Sequence, residues 1–154
     1  MWRASIVALA VAVLLSGCGG SSGGSADSDG PATVNTKKVA GYGTALVDAS
    51  GRSLYLSTAD PPKSSKCTGS CTKTWHPLTV TGTPTAAGDA KASLLSVFMR
   101  PDGSSQVAYN DLPLYTYSDG SGPAAGAGKT EHGGTWYLVS PEGDPIEQTA
   151  GGGY

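Results

Sequence analysis

The chain has 154 residues, enough for one domain of ordinary size, and its 23 glycines and 10 prolines predict a structure rich in turns. Only 14% of the residues are charged and the net charge is -2, which disfavours a nucleic-acid partner because binding to a phosphate backbone needs a basic surface. No apolar run is as long as the roughly 18 residues that a transmembrane helix requires, so we expect no membrane-spanning helix.

The N-terminus has the parts of an export signal in order. Arg3 supplies the positive charge, and residues 4–15 form an apolar stretch that is too short to span a bilayer. Leu15-Ser16-Gly17-Cys18 resembles the bacterial lipobox, in which an aliphatic residue and two small residues precede a cysteine. The resemblance implies removal of a signal peptide at 1–17 and attachment of diacylglycerol to Cys18, so the product is a lipoprotein with a membrane anchor. An ordinary secretory signal that holds a cysteine is the alternative.

The rest of the chain divides into three predicted segments. Residues 18–35 begin with the lipidated cysteine and are rich in Gly and Ser, which predicts a flexible tether. Residues 36–148 are predicted to fold as one β-domain, and residues 149–154 are expected to fray.

Within the domain, short apolar and β-branched runs alternate with turn signals that place Asp, Pro or Ser early and Gly late. The predicted strand regions are 43–47, 53–56, 95–99, 106–109, 112–117 and 135–139. Residues 90–96 are the one helix candidate, and residues 57–74 and 118–134 are long loops without structure signals. The predicted fold is all-β, with antiparallel hairpins or a meander in a sandwich- or barrel-like arrangement.

The chain also repeats itself. Leu54-Tyr55 follows a turn and precedes Asp60, and Leu114-Tyr115 follows a turn and precedes Tyr117 and Asp119. Two matching Leu-Tyr strands predict a duplication, in which two related β units carry Tyr55 and Tyr115 at equivalent, buried places.

Several pieces of the sequence carry a family resemblance. They are 46–55, 67–71 with Trp75 and Pro77, 100–110, 113–115 and 134–139. In this order they resemble the bacterial secreted-repeat lipoproteins described by a Tyr-x-aromatic-x-x-Asp motif. Ser57 stands where the first motif has an aromatic residue, and Asp119 comes one residue early in the second. The resemblance implies a surface-anchored lipoprotein whose biochemical function is not established.

Cys67 and Cys71 are the two cysteines that remain when Cys18 is lipidated. In an exported protein, two cysteines four residues apart with Gly69 between them predict a disulfide that closes a tight loop. A copper or redox site is the alternative, because two thiolates with His76, completed in space by Met99 or His132, suit copper(I).

The other polar candidates carry no sharp catalytic signature. His76 and His132 are the only histidines, and no nucleophile elbow or dinucleotide motif accompanies them, so no catalytic residue is assigned. Asp60 and Asp119 are expected to cap turns, with a shared cation site as the alternative. The tyrosines are expected in the core, with an exposed aromatic platform for a sugar, haem or apolar ligand as the alternative.

These features together predict a non-enzymatic binding or structural module that is lipid-anchored on the extracytoplasmic face of the cell membrane. We expect a monomer without a cofactor, whose partner is a small molecule or an envelope component. A copper- or redox-handling protein that uses Cys67, Cys71 and His76 is the alternative. A hydrolase with His132 in the loop at 118–134 is a further one.

Overall fold

A computed structural model describes residues 31–149 of the chain. The predicted signal peptide, Cys18 and most of the predicted tether lie outside the described residues. The strands are β1 (Thr33–Val39), β2 (Gly43–Val47), β3 (Tyr55–Ser57), β4 (Trp75–Pro77), β5 (Thr85–Ala86), β6 (Leu95–Met99), β7 (Ser105–Tyr109), β8 (Leu112–Pro113), β9 (Tyr115–Tyr117), β10 (Thr130–Glu131), β11 (Gly134–Val139) and β12 (Pro145–Ile146). A four-residue α-helix covers Cys71–Thr74, and a 3₁₀-helix covers Ala92–Leu94.

These strands form three sheets, and the prediction of an all-β fold is confirmed. The central sheet has the order β10-β11-β3-β9-β4, with β12 also paired to β11, and it curls as half of a barrel. Two three-stranded sheets flank it, with the orders β2-β1-β5 and β6-β7-β8. All strand pairs are antiparallel except β1 with β5. Within residues 31–149, no helix is long and apolar enough to cross a membrane.

The folded domain begins earlier and ends later than its predicted limits of 36 and 148. Strand β1 starts at Thr33, and Val34 is fully buried in the core, although both lie in the predicted tether. At the other end, the Thr149 backbone N–H donates to the Gly41 carbonyl at 2.9 Å, although residue 149 was assigned to the fraying tail. The first strand therefore includes residues that composition alone assigns to the tether.

The helix candidate at 90–96 is wrong in its type. Only a single 3₁₀ turn forms there, and β6 begins directly after it at Leu95. Val97 and Phe98 pair with residues of β7. Pairing in a β-hairpin therefore decides the backbone conformation here, since β-branched and aromatic side chains pack well on a sheet.

The strand register relates the two halves of the chain by an approximate two-fold axis. Tyr55 of β3 pairs directly with Tyr115 of β9, so the two motif tyrosines face each other across the axis. On either side the pairing is crossed: β3 pairs with β11 of the second half, and β9 pairs with β4 of the first. We call β3 and β9, which carry the motif tyrosines, the tyrosine strands, and β4 and β11 the tryptophan strands. Each tyrosine strand therefore pairs with the tryptophan strand of the other half.

Trp75 of β4 and Trp136 of β11 occupy equivalent positions in this arrangement. Trp75 pairs with Tyr117, and Trp136 pairs with Ser57, which is the counterpart of Tyr117 in the first motif. The two indole rings stack with centroids 3.9 Å apart and an angle of 3° between their planes. Both are almost fully buried, so the centre of the molecule is an aromatic contact between the two repeats.

Candidate functional site

The motif tyrosine of the second repeat is enclosed by polar partners. The Tyr115 hydroxyl donates to Asp60 Oδ2 at 2.5 Å, and Ser65 Oγ lies 2.5 Å from the same hydroxyl. Asp60 Oδ1 accepts the Lys66 backbone N–H at 2.6 Å. Because Tyr115 is fully buried, these contacts satisfy its hydroxyl without help from solvent.

A buried arginine and glutamine extend this polar cluster. The Arg100 guanidinium donates from Nη1 to Gln106 Oε1 and from Nη2 to the Cys67 carbonyl, each at 2.7 Å. Gln106 Nε2 donates in turn to the Leu114 carbonyl at 2.8 Å. Arg100 is 4% exposed and Gln106 is fully buried, so both act inside the fold.

Burial raises the pKa of two groups in this cluster, Asp60 and Tyr115. Burial raises the pKa of Asp60, although the hydrogen bonds from Tyr115 and Lys66 and the charge of Arg100 act in the opposite direction. Burial also raises the pKa of Tyr115, and the neighbouring charge of Asp60 raises it further. The Tyr115 hydroxyl therefore stays a donor to Asp60 at neutral pH.

The equivalent place around Tyr55 lacks these partners. The registers of the β1–β2 and β6–β7 hairpins make Val39 the counterpart of Arg100 and Ala45 the counterpart of Gln106. In the second motif, Gly120 stands at the sequence position that Asp60 holds in the first. The Tyr55 hydroxyl instead accepts the backbone N–H of Gly126 at 3.3 Å.

A surface groove of about 290 Å³ opens beside Tyr55. We call it the Tyr55 groove. Its lining residues are Lys37, Gly51, Arg52, Ser53, Tyr55, Tyr117, Asp119, Gly120, Gly122 and Pro123. It combines two aromatic rings and two cationic side chains with three glycines, which leave room above the backbone. Its volume lies just below the range for small-molecule sites, which is typically about 300–1,000 Å³.

Tyr117 forms the half-buried aromatic wall of the groove. Its ring lies 4.6 Å from the Trp75 ring between centroids, and the Lys129 ammonium lies 5.5 Å from its centroid. The first motif has Ser57 at this place, which is buried and hydrogen-bonded to its own loop through Ala59 N–H. The aromatic wall is therefore specific to the second motif.

The two motif aspartates do different things. Asp60 is 7% exposed and holds the buried cluster together. Asp119 is exposed at the rim of the groove, where its Oδ1 accepts the Ser121 backbone N–H at 3.0 Å. Asp119 caps a local turn, whereas Asp60 accepts from the Lys66 N–H six residues further on and from Tyr115. Within residues 31–149 the fold does not bring the two carboxylates into one cluster with other carboxylate, His or Cys side chains.

Cys67 and Cys71 form the predicted disulfide, with 5.2 Å between their Cα atoms. Both are 3% exposed and belong to the same core cluster as Trp75. His76 is exposed on β4, on the opposite face from the buried Trp75. A copper site at these residues would first need the disulfide to be reduced, because bonded sulfurs are not thiolates.

His132 and Met99 lie at the surface. His132 occupies the tight turn between β10 and β11 with a φ of 53°, followed by Gly133 with a φ of 82°. This is the geometry of a two-residue hairpin turn, so His132 is positioned by the turn. Met99 is 75% exposed at the end of β6.

Sequence reasoning singled out the tyrosines but missed their polar surroundings. Arg52, Arg100 and Gln106 entered only within the segments of a resemblance, and Lys37 was not singled out. Aligning the two halves residue by residue would have exposed the difference, because Arg100 and Gln106 align with Val39 and Ala45.

Comparison with known proteins identifies the family. The Lipoprotein_15 family, described as a secreted repeat of unknown function, matches residues 33–79 and residues 96–140. The two matches cover more than half of the chain and coincide with the two structural halves, so the chain belongs to this family and carries two copies of its repeat. The protein is therefore extracytoplasmic. Searches of curated proteins and of solved structures found no match to the chain.

Proposed function

We propose that the protein is a lipid-anchored, non-enzymatic binding module of the bacterial envelope, and that the Tyr55 groove is its ligand site. One observation carries the proposal: two copies of one repeat fold alike, but one is closed by a polar cluster and the other is open at the equivalent tyrosine. A purely structural duplication gives no reason for only one of the two tyrosines to have polar side-chain partners.

The chemistry of the first repeat supports a non-enzymatic assignment. Burial raises the pKa of the Asp60 carboxylate, but this group is already hydrogen-bonded to Tyr115 and Lys66 inside the fold. Such a group stabilises the fold, whereas a general acid or base must reach a substrate. His76 is exposed on β4, and His132 is exposed in the turn between β10 and β11. These separate positions likewise fit a role outside acid–base chemistry.

The lipobox at Cys18 supports the anchor. We expect Cys18→Ser to release the protein into the medium or the soluble extract, because the lipid chains that give stable anchoring are attached to this cysteine. Cell fractionation after a salt wash measures this, with Cys71→Ser as the matched control for loss of a cysteine. A Cys18→Ser protein that still sediments with membranes contradicts the anchor.

Occupancy of the groove is tested on cells. If the Tyr55 groove binds an envelope ligand, Tyr117 should be oxidised more slowly by hydroxyl radicals on intact cells than in the purified protein. Tyr137, which is also half-buried but lies away from the groove, is the internal control. If the ratio of Tyr117 oxidation to Tyr137 oxidation is the same on intact cells as in the purified protein, the result contradicts a ligand at this site.

A further inference from the structure

The Tyr55 hydroxyl is a buried hydrogen-bond donor that lacks an acceptor. Tyr55 is 2% exposed, and its oxygen accepts the Gly126 N–H at 3.3 Å. Among residues 31–149, no group accepts the proton of this hydroxyl. Burial raises the pKa of Tyr55, so the hydroxyl keeps its proton at neutral pH. Since a buried donor without an acceptor is costly, an acceptor in the groove would be bound favourably.

The first repeat identifies the acceptor that fits such a hydroxyl. There, the Tyr115 hydroxyl donates to the carboxylate of Asp60 at 2.5 Å. In the second repeat the corresponding sequence position is Gly120, which has no side chain and lines the groove. The groove is therefore open at the sequence position that supplies the carboxylate in the first repeat.

Two cations line the same groove. Lys37 is exposed, and no carboxylate of the described residues lies within 4.0 Å of its ammonium. The Arg52 guanidinium is held by Asp48, whose Oδ2 lies 2.8 Å from both Nε and Nη2. This ion pair fixes the plane of the guanidinium and leaves Nη1 without a partner in the part of the chain that the structure describes. A fixed arginine loses less conformational entropy when it binds an anion.

We propose that the Tyr55 groove binds the carboxylate or phosphate group of a small ligand. This inference rests on the proposed function, in which the groove is a ligand site. The oxyanion of the ligand accepts the Tyr55 hydroxyl in the way that Asp60 accepts the Tyr115 hydroxyl, and Lys37 and Arg52 balance its charge. The half-buried Tyr117 ring contacts the body of the ligand.

Asp119 opposes this charge from the rim of the groove. Its carboxylate is exposed and engaged with the Ser121 N–H, so it holds the loop rather than the Tyr55 hydroxyl. Removal of its charge by Asp119→Asn reduces the repulsion of an anion. We therefore expect Asp119→Asn to strengthen binding of an anionic probe severalfold, whereas a site for a cation or a neutral ligand would lose affinity or keep it unchanged.

Calorimetric titration of the exported full chain tests the ligand class. The probes are glucuronate, glucose as its neutral counterpart, inorganic phosphate, and vesicles of phosphatidylglycerol. We expect glucuronate or phosphate to bind with a Kd of about 1 mM or below and glucose not to bind. Lys37→Gln should weaken binding of the anion by about tenfold, which corresponds to about 1.4 kcal/mol. Lys38→Gln removes the same charge from the opposite face of β1 and should change the affinity less than twofold.

A second experiment needs no ligand. Gly120→Asp places a carboxylate at the sequence position that Asp60 holds in the first repeat, and a Cβ at Gly120 meets no atom within 4 Å. If a carboxylate there reaches the Tyr55 hydroxyl, Gly120→Asp should have a higher Tm than Gly120→Asn, and the difference should disappear when Tyr55→Phe is added. Gly120→Asp should also weaken binding of the anionic probes more than Gly120→Asn does. An equal difference in Tm with and without Tyr55→Phe would overturn the equivalence of the two sites.

The outcomes separate this inference from the proposed function. Anion binding that is unaffected by Lys37→Gln, or binding of no probe, overturns the anionic ligand. Equal binding of glucose and glucuronate, both lost in Tyr55→Phe, overturns the anionic ligand but keeps the groove as a site. Binding only to the phosphatidylglycerol vesicles overturns the small anionic ligand in favour of a lipid surface. The proposed function fails separately if the ratio of Tyr117 oxidation to Tyr137 oxidation is the same on cells as in the purified protein.

Discussion

Tyr55 and Tyr115 make different hydrogen bonds at equivalent positions. Both are almost fully buried, and they pair directly across the approximate two-fold axis. The hydroxyl of Tyr115 is held by Asp60 and Ser65, whereas the hydroxyl of Tyr55 has only a long hydrogen bond from Gly126. The aromatic ring is thus buried in the core in both repeats, while only the Tyr115 hydroxyl is bound by polar side chains.

This difference predicts unequal costs for the same substitution. Tyr115→Phe leaves the buried Asp60 carboxylate without its donor, and we expect it to lower the free energy of unfolding by about 1–3 kcal/mol. Tyr55→Phe removes one long hydrogen bond, from the Gly126 N–H, together with a buried donor that has no acceptor, and should cost less, about 0.5–1 kcal/mol. Denaturant unfolding of the two variants measures both values. Equal losses would mean that the hydroxyl of Tyr115 has no special structural role.

Asp60 predicts a specific dependence of stability on pH. Burial holds the pKa of Asp60 above its ordinary value of 3.8, so the folded protein binds more protons than the unfolded chain between the two values. The stability that this group contributes is present below pH 3.8 and is lost as the pH rises through the raised folded pKa. The free energy of unfolding of the wild type, minus that of Asp60→Asn, should therefore fall as the pH rises from about 3 to 7.

Asp102 provides the control of opposite sign for this experiment. Hydrogen bonds from Ser104 lower the pKa of its exposed carboxyl, so its contribution is present above the ordinary pKa and is lost as the pH falls. The corresponding difference for Asp102→Asn should rise with pH. If the difference for Asp60→Asn also rises with pH, then hydrogen bonding outweighs burial at Asp60.

At the scale of elements, the disulfide closes the short segment that ends in β4. Cys67 and Cys71 flank the tight turn at Gly69, and the helix Cys71–Thr74 leads directly into Trp75. The Cys67 carbonyl accepts a hydrogen bond from the buried Arg100. The disulfide therefore joins the approach to the tryptophan strand to the polar cluster behind Tyr115.

Removal of this disulfide should destabilise the domain only moderately. A loop of this length removes little entropy from the unfolded chain, so Cys67→Ala combined with Cys71→Ala should lower the free energy of unfolding by about 2 kcal/mol. Thermal unfolding of this variant, compared with the wild type with and without a reductant, measures the effect. The reduced wild type and the double variant should agree. Two alkylatable thiols in freshly exported protein would contradict the disulfide itself.

Local patterns in the sequence predicted the elements better than their partners. Turn signals and apolar runs located the strands at 43–47, 95–99 and 106–109, and the repeated Leu-Tyr pair located the duplication. The crossed pairing of β3 with β11 and of β9 with β4 could not be predicted, because it joins residues that are far apart in sequence and leaves no local signal. The buried Arg100 and Gln106 were missed because polar residues of these types are usually exposed.

At the scale of the whole molecule, the two repeats are interdependent. The central sheet combines strands from the two halves, since β11 pairs with β3 and β4 pairs with β9. Trp75 and Trp136 stack across the axis, one from each half. Neither half can therefore bury its tyrosine strand alone, and an exposed strand edge with apolar side chains is unstable in water.

This interdependence predicts that the halves fold only together. Fragments 31–91 and 92–149 should each show no cooperative thermal unfolding, because each lacks the strand that pairs with its tyrosine strand. An equimolar mixture should regain the fold, with near-ultraviolet circular dichroism from the stacked tryptophans. In the mixture, Trp136→Ala should prevent association, since truncation of a buried tryptophan typically costs about 3–5 kcal/mol. The control is Val97→Ala, which truncates an apolar side chain that is 38% exposed. A cooperative transition in either fragment alone would show that a single repeat is a folding unit, and the crossed pairing would then not be what holds the domain together.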